Sequence, residues 1–547
     1  MLPISKRILV AAGVVALSLL PLSAEASVVS TGGWTPSVFP SHGVNTVTNT
    51  SVSCVSPTSC VTAGAQTIFP AEVPAVQSGT PGHWTLTTLP TPTAYRASPI
   101  TASLASISCT SNGNCVAVGT YGTTGSASLS MIETRTAGKW HVTGVALPSN
   151  ISQTSKTLRL TSVSCPTATA CFAAGFYSTA SGEAGLFEVR NAAGVWHGTQ
   201  VPAPPGVSGR SKDHRIMGLS CTSATFCVAV GYYEAPNSWD QAAVSVWNGR
   251  SWTSTGSPVP KNLSTVYKAS GLSSVSCATP KYCVAVGHYY LGDGGIIHPL
   301  LATWNGAQWS AFSPALPSGA TRLHGSDDWS SISCPLPSNC TAVGVFTGDG
   351  GSAQAMMARQ NGGAWVTSSQ GIFPTQSSPL GSLTAVTCLS SNSCLAIGKT
   401  RFAHLSDVQV AITLKGTVAT STTHVVASGK TTVANVRASG IGPTTISLVK
   451  GTPHGTLVLQ SNGRFTYHPK AGFFGIDSFT FFATSAGGRS GVATESLSVR
   501  PYAPPVAQAF QVGTRNLPLF NGTPLGAAGF GPLRYQIVPT TTAGTFA

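Results

Sequence analysis

The sequence predicts an all-β protein whose larger part is a seven-bladed β-propeller. Only 8% of the 547 residues are charged, and 59 Gly and 37 Pro accompany short alternations of Ser, Thr and Val. Cysteine pairs recur seven times at intervals of 54 to 57 residues. Most repeats contain four strand-like segments, the unit that propellers repeat roughly four to eight times. The composition also excludes a disordered chain and a coiled coil.

Residues 1–26 have the pattern of a secretory signal peptide. Lys6 and Arg7 form the positive start, Ile8 to Leu20 the apolar core, and Ala24-Glu25-Ala26 the cleavage site. The apolar core has about 13 residues, whereas a membrane-spanning helix needs roughly 20. An uncleaved anchor is the alternative. We therefore expect a secreted or cell-surface-associated protein without a membrane span.

All 14 cysteines fall into pairs with five residues between the two members. An even number of cysteines in an exported chain indicates disulfide bonds. Zinc is the alternative, but zinc sites prefer shorter spacings and need further ligands nearby. Each bond would close a loop of about seven residues, worth roughly 2.4 kcal/mol in the chain-entropy estimate. The predicted bonds are Cys54–Cys60, Cys109–Cys115, Cys165–Cys171, Cys221–Cys227, Cys277–Cys283, Cys334–Cys340 and Cys388–Cys394.

Each repeat places small residues at fixed positions after its second cysteine. Gly lies four positions after it in all seven repeats, and Ala lies two positions after it in six. The first repeat departs, with Thr62 at the Ala position. We expect the Gly residues to permit a close backbone approach or a β-bulge.

The strand pattern predicts how the ring closes. In the repeat around Cys221, Asn248-Gly249 joins the third and fourth strands as a two-residue hairpin. A Trp opens the fourth strand in six repeats, but none follows the strand at 408–414. Trp34, before the first cysteine pair, is therefore predicted to complete the seventh blade. A linear solenoid is the alternative, and it would leave both terminal edges open.

Over roughly residues 30–414 the repeat resembles the Trp- and Cys-bearing propeller repeats of secreted bacterial proteins. In general shape it is also similar to kelch and sialidase-type blades. The resemblance implies a blade fold but no particular activity, because one fold serves many functions. The sialidase box Ser-x-Asp-x-Gly-x-x-Trp is here reduced to Asn-Gly-x-x-Trp, as in Asn248 to Trp252.

Residues 451–482 resemble the bacterial cadherin-like, immunoglobulin-type repeats. The matching residues are Pro453, Gly455, Thr456, Leu457, Gly463, Phe465, Tyr467, Pro469, Gly475, Asp477, Ser478 and Phe479. The resemblance implies an immunoglobulin-like β-sandwich. Related modules often bind calcium, but Asp477 and Glu495 are the only carboxylates in 415–547, so we expect no calcium site. Asp477 is instead predicted to cap a turn.

Residues 534–547 resemble 445–458, which predicts the beginning of a second sandwich after a proline-rich linker that starts at Pro501. We therefore divide the chain into a signal peptide (1–26), a seven-bladed β-propeller (27–414), an immunoglobulin/cadherin-like β-sandwich (415–500), and a linker with a partial second sandwich module (501–547).

The net charge of +14 is concentrated in the C-terminal part, where residues 415–547 contain ten Lys and Arg but two acids. Such a segment is attracted to anionic polymers of a cell envelope. A generic exported protein of high isoelectric point is the alternative. Nucleic acid is not expected, because no basic run carries interleaved aromatic residues.

Five repeats carry an aromatic residue two positions after the blade Gly. Two interpretations are open: the rings pack against the neighbouring hairpin, or they stack on a sugar at the propeller mouth. The second makes them candidate ligand-binding residues: Tyr121, Tyr177, Tyr233, Tyr289 and Phe346.

The sequence contains no motif for a catalytic, cofactor or metal site. It has neither H-E-x-x-H nor G-x-S-x-G, and the Gly-Lys-Thr segments at 398–400 and 429–431 lack the first Gly of a P-loop. Asp327-Asp328 is the only adjacent acid pair. The acids near blade loops are Glu183, Glu234, Asp240, Asp293, Asp327, Asp328 and Asp349.

These features together predict a monomeric extracellular binding or adhesion protein. Its propeller recognises a glycan or protein ligand, without a cofactor or catalysis of its own. One alternative is a carbohydrate-active enzyme, a glycosidase or lyase, whose acids converge in the propeller mouth. The other is a purely structural surface protein.

Overall fold

The computed structural model consists of strands joined by turns and loops. It describes residues 34–40, 46–92, 101–111, 113–122, 127–191, 193–207, 212–236, 239–261, 269–291, 296–317, 319–320, 326–348, 351–361, 364–369, 380–391, 393–401, 407–415, 417–439, 444–485, 488–490, 492–501, 506–507 and 527–528. The predicted signal peptide, most of the predicted partial second sandwich, Asp293 and Asp349 lie outside these residues.

Seven antiparallel sheets of four strands form the first part of the chain, and we number them as blades 1 to 7. The first strand is β1 (Trp34–Val38). Blade 1 contains β2 (Thr46–Ser56), β3 (Ser59–Ile68), β4 (Ala71–Thr80) and β5 (His83–Thr88); blade 2 contains β6 (Ala102–Ser111), β7 (Asn114–Gly122), β8 (Ser128–Thr136) and β9 (Lys139–Gly144); blade 3 contains β10 (Leu158–Ser164), β11 (Phe172–Thr179), β12 (Gly182–Arg190) and β13 (Trp196–Val201).

Blades 4 to 7 follow the same order. Blade 4 contains β14 (His214–Ser223), β15 (Phe226–Glu234), β16 (Asp240–Trp247) and β17 (Trp252–Gly256); blade 5 contains β18 (Ser270–Thr279), β19 (Tyr282–Leu291), β20 (Ile296–Trp304) and β21 (Trp309–Phe312); blade 6 contains β22 (Asp328–Leu336), β23 (Asn339–Thr347), β24 (Ala353–Asn361) and β25 (Ala364–Ser369); blade 7 contains β26 (Leu380–Ser390), β27 (Ser393–Arg401), β28 (Asp407–Lys415) and, as its fourth strand, β1.

The ring closes through blade 7. Strand β1 pairs antiparallel with β28, placing Trp34 opposite Leu414, as the missing seventh Trp strand predicts. The Thr384 hydroxyl donates to the Asn49 carbonyl oxygen at 3.4 Å, and the Asn49 N–H donates to Oε1 of Gln409 at 3.2 Å. These bonds join blade 7 to blade 1. The all-β, seven-bladed fold is therefore confirmed, and the linear solenoid is excluded.

The blade Gly residues lie opposite a β-bulge in the first strand of each blade. In blade 3 the register shifts between Leu160 and Ser162, directly across from Gly175. A Cβ on Gly175 would lie 1.8 Å from the carbonyl oxygen of Arg159, and in the other six blades the same distance is 1.7 to 2.1 Å. No side chain fits at such distances, so the bulge requires Gly.

Serine side chains link the first strands of successive blades. The N–H of Cys165 donates to the hydroxyl oxygen of Ser108 at 3.0 Å, and the N–H of Val163 donates to that of Ser106 at 3.2 Å. Equivalent bonds recur between other neighbouring blades, so the Ser before the cysteine joins one blade to the next. The inner strands thus form a hydrogen-bonded ring.

Seven disulfide bonds join the cysteine pairs named above, each with its two Cα atoms 4.0 to 4.1 Å apart. Each bond spans the hairpin between the first and second strands of a blade. We call this end of the blades the lower rim, and the opposite end, where the first strands begin, the upper rim. Seven structural disulfides indicate an oxidising, extracellular compartment.

The module after the propeller is a β-sandwich. Its strands are β29 (Val418–Thr420), β30 (Thr422–Ala427), β31 (Thr432–Asn435), β32 (Arg437–Ser439), β33 (Thr445–Lys450), β34 (Gly455–Leu459), β35 (Arg464–Pro469), β36 (Gly475–Ser485), β37 (Gly488–Arg489) and β38 (Ala493–Arg500). One sheet has the order β30-β38-β36-β33 and the other β31-β35-β34. Phe465, Tyr467, Phe479 and Phe481 are fully buried between them.

Asp477 organises a turn inside this sandwich. Its carboxylate accepts hydrogen bonds from the Tyr467 hydroxyl at 2.7 Å, the His454 N–H at 3.1 Å and the Ser478 N–H at 2.9 Å. These contacts fit the turn-capping role expected for Asp477. Among the described residues, no group of three or more His, Cys, Asp or Glu could hold a metal ion. Nor does any helix there have the length and apolar character to cross a bilayer.

Candidate functional site

A cavity of about 580 Å³ opens at the upper rim between blades 3 and 4. Strands β12 and β13 form one wall, and the described residues between β13 and β14, namely Ala203, Pro204, Gly206, Val207 and Lys212, form the other. The volume falls within the range of roughly 300 to 1,000 Å³ that is typical of small-ligand sites. Its size and its position on the rim make it the leading candidate site in the described part of the chain.

One lining residue distinguishes this blade interface from the others. Gly185 of β12 lies opposite Phe176, the residue after the blade Gly. The equivalent third-strand positions carry side chains in the other blades: Pro74, Ser130, Ala242, Pro299, Ala355 and Gln409. A Cβ on Gly185 would lie 3.2 Å from His214 and 3.2 Å from Val201. A side chain at this position would crowd both neighbours, so Gly185 allows close packing beside the cavity.

Two amide side chains form a polar edge of the cavity. The Tyr177 hydroxyl lies 2.9 Å from Oδ1 of Asn150 and 3.2 Å from Oε1 of Gln200. Asn150 Nδ2 and Gln200 Oε1 are also 3.5 Å apart. Tyr177 itself is buried, so its hydroxyl holds the two exposed amides in place. Fixed amides at the mouth of a cavity are suited to binding sugar hydroxyls.

A charged network borders the cavity towards the centre of the ring. The Arg215 guanidinium contacts the Glu183 carboxylate through Nε, lies 3.6 Å from the Asp213 carboxylate, and donates to the Tyr232 hydroxyl at 2.7 Å. It also lies 5.4 Å from the Phe176 ring centroid. The Glu183 N–H donates to Oδ1 of Asp213 at 2.9 Å. Arg215 is therefore already engaged by carboxylates and rings.

His214 lies at the inner end of the cavity and is only 1% exposed. Neither ring nitrogen has a hydrogen-bond partner of normal geometry in the described residues. Burial lowers the pKa of His214 to about 4, and the backbone of Val201 opposes this only in part. The ring is therefore neutral at physiological pH, and in this form it can donate one hydrogen bond and accept another.

The mouth of the ring gathers more titratable groups from blades 4 to 6. His288 Nδ1 lies 3.2 Å from Oδ2 of Asp328. Burial lowers the pKa of His288, but the Asp328 and Asp240 carboxylates outweigh burial and raise it. Burial raises the pKa of Asp240, with Asp213 and Glu234 adding to the rise and Arg215 and His288 opposing it. Acids from separate blades thus converge here.

The aromatic residues named as candidates lie between blades. Tyr121, Tyr177, Tyr289 and Phe346 are buried, and Tyr233 is half-buried. The four buried rings offer no face to a sugar, which favours the packing interpretation for them, whereas Tyr233 stays a candidate ligand-binding residue. Tyr177 still contributes to the cavity through its hydroxyl.

The side chains of the adjacent acids Asp327 and Asp328 lie in different environments. Asp327 is fully buried and accepts a hydrogen bond from the Thr347 N–H at 2.8 Å, whereas Asp328 pairs with His288. Glu183 and Asp240 belong to the network at the mouth, and Glu234 is buried at its border.

Sequence reasoning missed Asn150, Gln200 and Gly185. It also missed the segment Lys212-Asp-His-Arg215, whose density of charged and titratable residues is unusual in a chain with only 8% charged residues.

Comparison with known proteins identifies the C-terminal module. A family model described as a bacterial Ig domain matches residues 409–499, so this module is a bacterial immunoglobulin-like domain. The match starts inside β28, which pairs with β1 in blade 7. No curated protein matches the chain.

Several solved structures are similar to the chain at low identity. A Dyadobacter fermentans protein of unknown function is 10% identical, with a TM-score of 0.39, over 70% of this chain and 99% of that one. A lectin of Aleuria aurantia bound to a methyl fucoside is 12% identical, with a TM-score of 0.33, over 60% of this chain and 96% of that one. The NanB sialidase of Streptococcus pneumoniae is 9% identical, with a TM-score of 0.36, over 69% and 70%. Similarity at this level says nothing about ligand or activity.

Proposed function

We propose that this protein is an extracellular glycan-binding protein whose propeller holds its ligand between blades 3 and 4. The observation that carries the proposal is the cavity of about 580 Å³ with two amides fixed by Tyr177 at its edge. Sugars present many hydroxyl groups, and a concave site with a few placed polar groups recognises them. The immunoglobulin-like module and the disulfides fit a protein of the cell exterior.

The basic C-terminal part supports retention at an envelope. Residues 415–547 carry ten Lys and Arg against two acids. We propose that this part is attracted to an anionic envelope polymer while the propeller, as a monomer, binds its ligand. The divisions at residues 26, 414 and 500 belong to the same proposal.

The Tyr177→Phe variant is expected to bind glycan roughly tenfold more weakly. Removing the hydroxyl frees Asn150 and Gln200, so their amides must be ordered again on binding, at a cost of about 1.4 kcal/mol. The measurement is a glycan array with the full chain, followed by titration calorimetry of the best glycan. High salt removes attraction to the basic module.

Tyr121→Phe is the matched control, because Tyr121 occupies the same position in blade 2. This variant should bind like the unmodified chain. Equal affinity of all three proteins would count against the cavity as the binding site, and silence of the whole array would count against glycan binding altogether.

Asp240 favours a second candidate function, glycoside hydrolysis. Asp240 is exposed at the mouth of the ring, and partial desolvation by its surroundings is the main cause that raises the pKa of its carboxyl, which suits a general acid. On this alternative, chromogenic glycosides are cleaved, and Asp240→Asn lowers kcat at least about a hundredfold. Glu72→Gln, an acid at the upper rim of blade 1, is the control. Absence of turnover across the panel removes this candidate and leaves binding.

A further inference from the structure

We infer that the cavity between blades 3 and 4 selects uncharged, hydroxyl-rich sugars and discriminates against acidic ones. This inference rests on the proposed glycan binding and specifies its ligand class. It follows from the charge state of the inner end of the cavity, the engagement of the Arg215 guanidinium beside it, and the exposure of Lys212 among the described lining residues.

The inner end of the cavity offers hydrogen bonds but no charge. His214 lines this end of the cavity, is buried, and has no hydrogen-bond partner of normal geometry among the described residues at either ring nitrogen. A buried polar group without a partner costs free energy, and a ligand hydroxyl can both donate to and accept from a neutral imidazole. A carboxylate at the same place would meet a neutral ring, with no cation to offset its loss of water.

The Arg215 cation is not available to an acidic ligand. It contacts Glu183 and Asp213, and Tyr232 takes a third hydrogen bond. Glu183 lines the cavity and Asp213 lies behind it, so an incoming carboxylate meets a carboxylate there and a guanidinium that is already engaged. Repulsion between like charges in a partly desolvated site is much stronger than in bulk water.

Lys212 is the remaining cation of the cavity lining. Its side chain is exposed at the rim, where salt and water screen its field. It can increase the rate at which anions approach, but it adds little affinity. The basic C-terminal module would hold anionic polymers in a salt-dependent way. The two parts of the chain therefore bind different classes of polymer.

The test compares neutral oligosaccharides with uronic-acid oligosaccharides of matching length, using the full chain at high salt. We expect neutral sugars to bind saturably, and to bind the Gln200→Ala variant about tenfold more weakly. Acidic sugars should bind the unmodified chain at least about tenfold more weakly than neutral sugars do. Glu183→Gln removes one carboxylate beside Arg215, and acidic sugars should then bind roughly tenfold more tightly than they bind the unmodified chain.

Glu188→Gln is the matched control, because Glu188 lies on the same strand outside the cavity lining and this change should not alter specificity. Acidic sugars that bind as tightly as neutral ones, and lose affinity in Gln200→Ala, overturn the inference while glycan binding stands. An unchanged preference in Glu183→Gln overturns the role of Glu183. If no sugar binds, the proposed function falls and this inference with it.

Discussion

Replacing Gly175 with Ala is expected to lower the free energy of unfolding by about 4 kcal/mol or more. The added Cβ would lie 1.8 Å from the carbonyl oxygen of Arg159, a distance close to that of a covalent bond. The neighbouring atom is backbone, which cannot rotate away as a side chain would. Strands β10 and β11 must therefore separate at the bulge. Urea unfolding followed by tryptophan fluorescence measures the loss.

Gly113→Ala is the control for this change. Gly113 lies in the disulfide hairpin of blade 2, and a Cβ there would meet no atom within 4 Å. Its substitution should change the free energy of unfolding by no more than an ordinary surface substitution does, about 0.5 kcal/mol. Similar stability of the two variants would refute the steric explanation of the blade Gly.

The second large expected effect is a change in the stability of the folded protein with pH. Glu133 of β8 and Glu188 of β12 are 0% and 1% exposed, and the Glu133 carboxyl has no hydrogen-bond partner among the described residues. Burial raises the pKa of Glu133 to about 8 and that of Glu188 to about 7. Both carboxyls therefore hold a proton in the folded protein at pH values where the unfolded chain has released it.

The sign of the pH dependence follows from this difference in bound protons. From about pH 4.5 upwards the folded state binds more protons, so its stability falls by about 1.4 kcal/mol per pH unit for each carboxyl, until the folded pKa is reached. His214 acts oppositely: burial lowers its pKa to about 4, so stability falls as pH drops from about 6.5 to about 4. Together the three groups place maximal stability at about pH 4.

The full chain should therefore unfold at a lower urea concentration at about pH 8 than at about pH 5. The double variant Glu133→Gln, Glu188→Gln should be more stable than the unmodified chain at about pH 8, by a few kcal/mol, because a neutral amide is less costly to bury than a carboxylate. Glu72→Gln is the control. A stability that rises between these two pH values, or a double variant with the same pH dependence, would contradict the assignment.

The architecture was predictable because repetition multiplies weak signals. One Gly four positions after a cysteine indicates little, but seven of them fix the bulge that each blade needs. The stray Trp34 likewise acquires meaning only when six other repeats show where a Trp strand belongs. The alternation of side chains along a strand also determines which face the candidate aromatic residues lie on. Tyr121 lies two and four positions beyond Gly119 and Ala117, so all three share one face of β7, and that face is buried.

The site was less predictable, since it depends on differences between repeats. Gly185 stands out only because the other six blades carry a side chain at that position. Asn150 and Gln200 become a pair only through Tyr177, about 25 residues from each in the chain. Acids at the starts and ends of strands in separate blades meet at the mouth because the ring brings the same end of every blade together. Spacing along the chain does not encode that meeting.

The closure of blade 7 has a mechanical consequence. Strand β28 lies between β27 and β1 and continues from Lys415 directly into the C-terminal module. A pull on that module directed along β28 would load the strand in shear, so several hydrogen bonds to both neighbours would have to break together. In this shear geometry the strand resists much better than one peeled from an edge. Strand β1 therefore secures β28 at the point where force on an anchored molecule would enter the propeller.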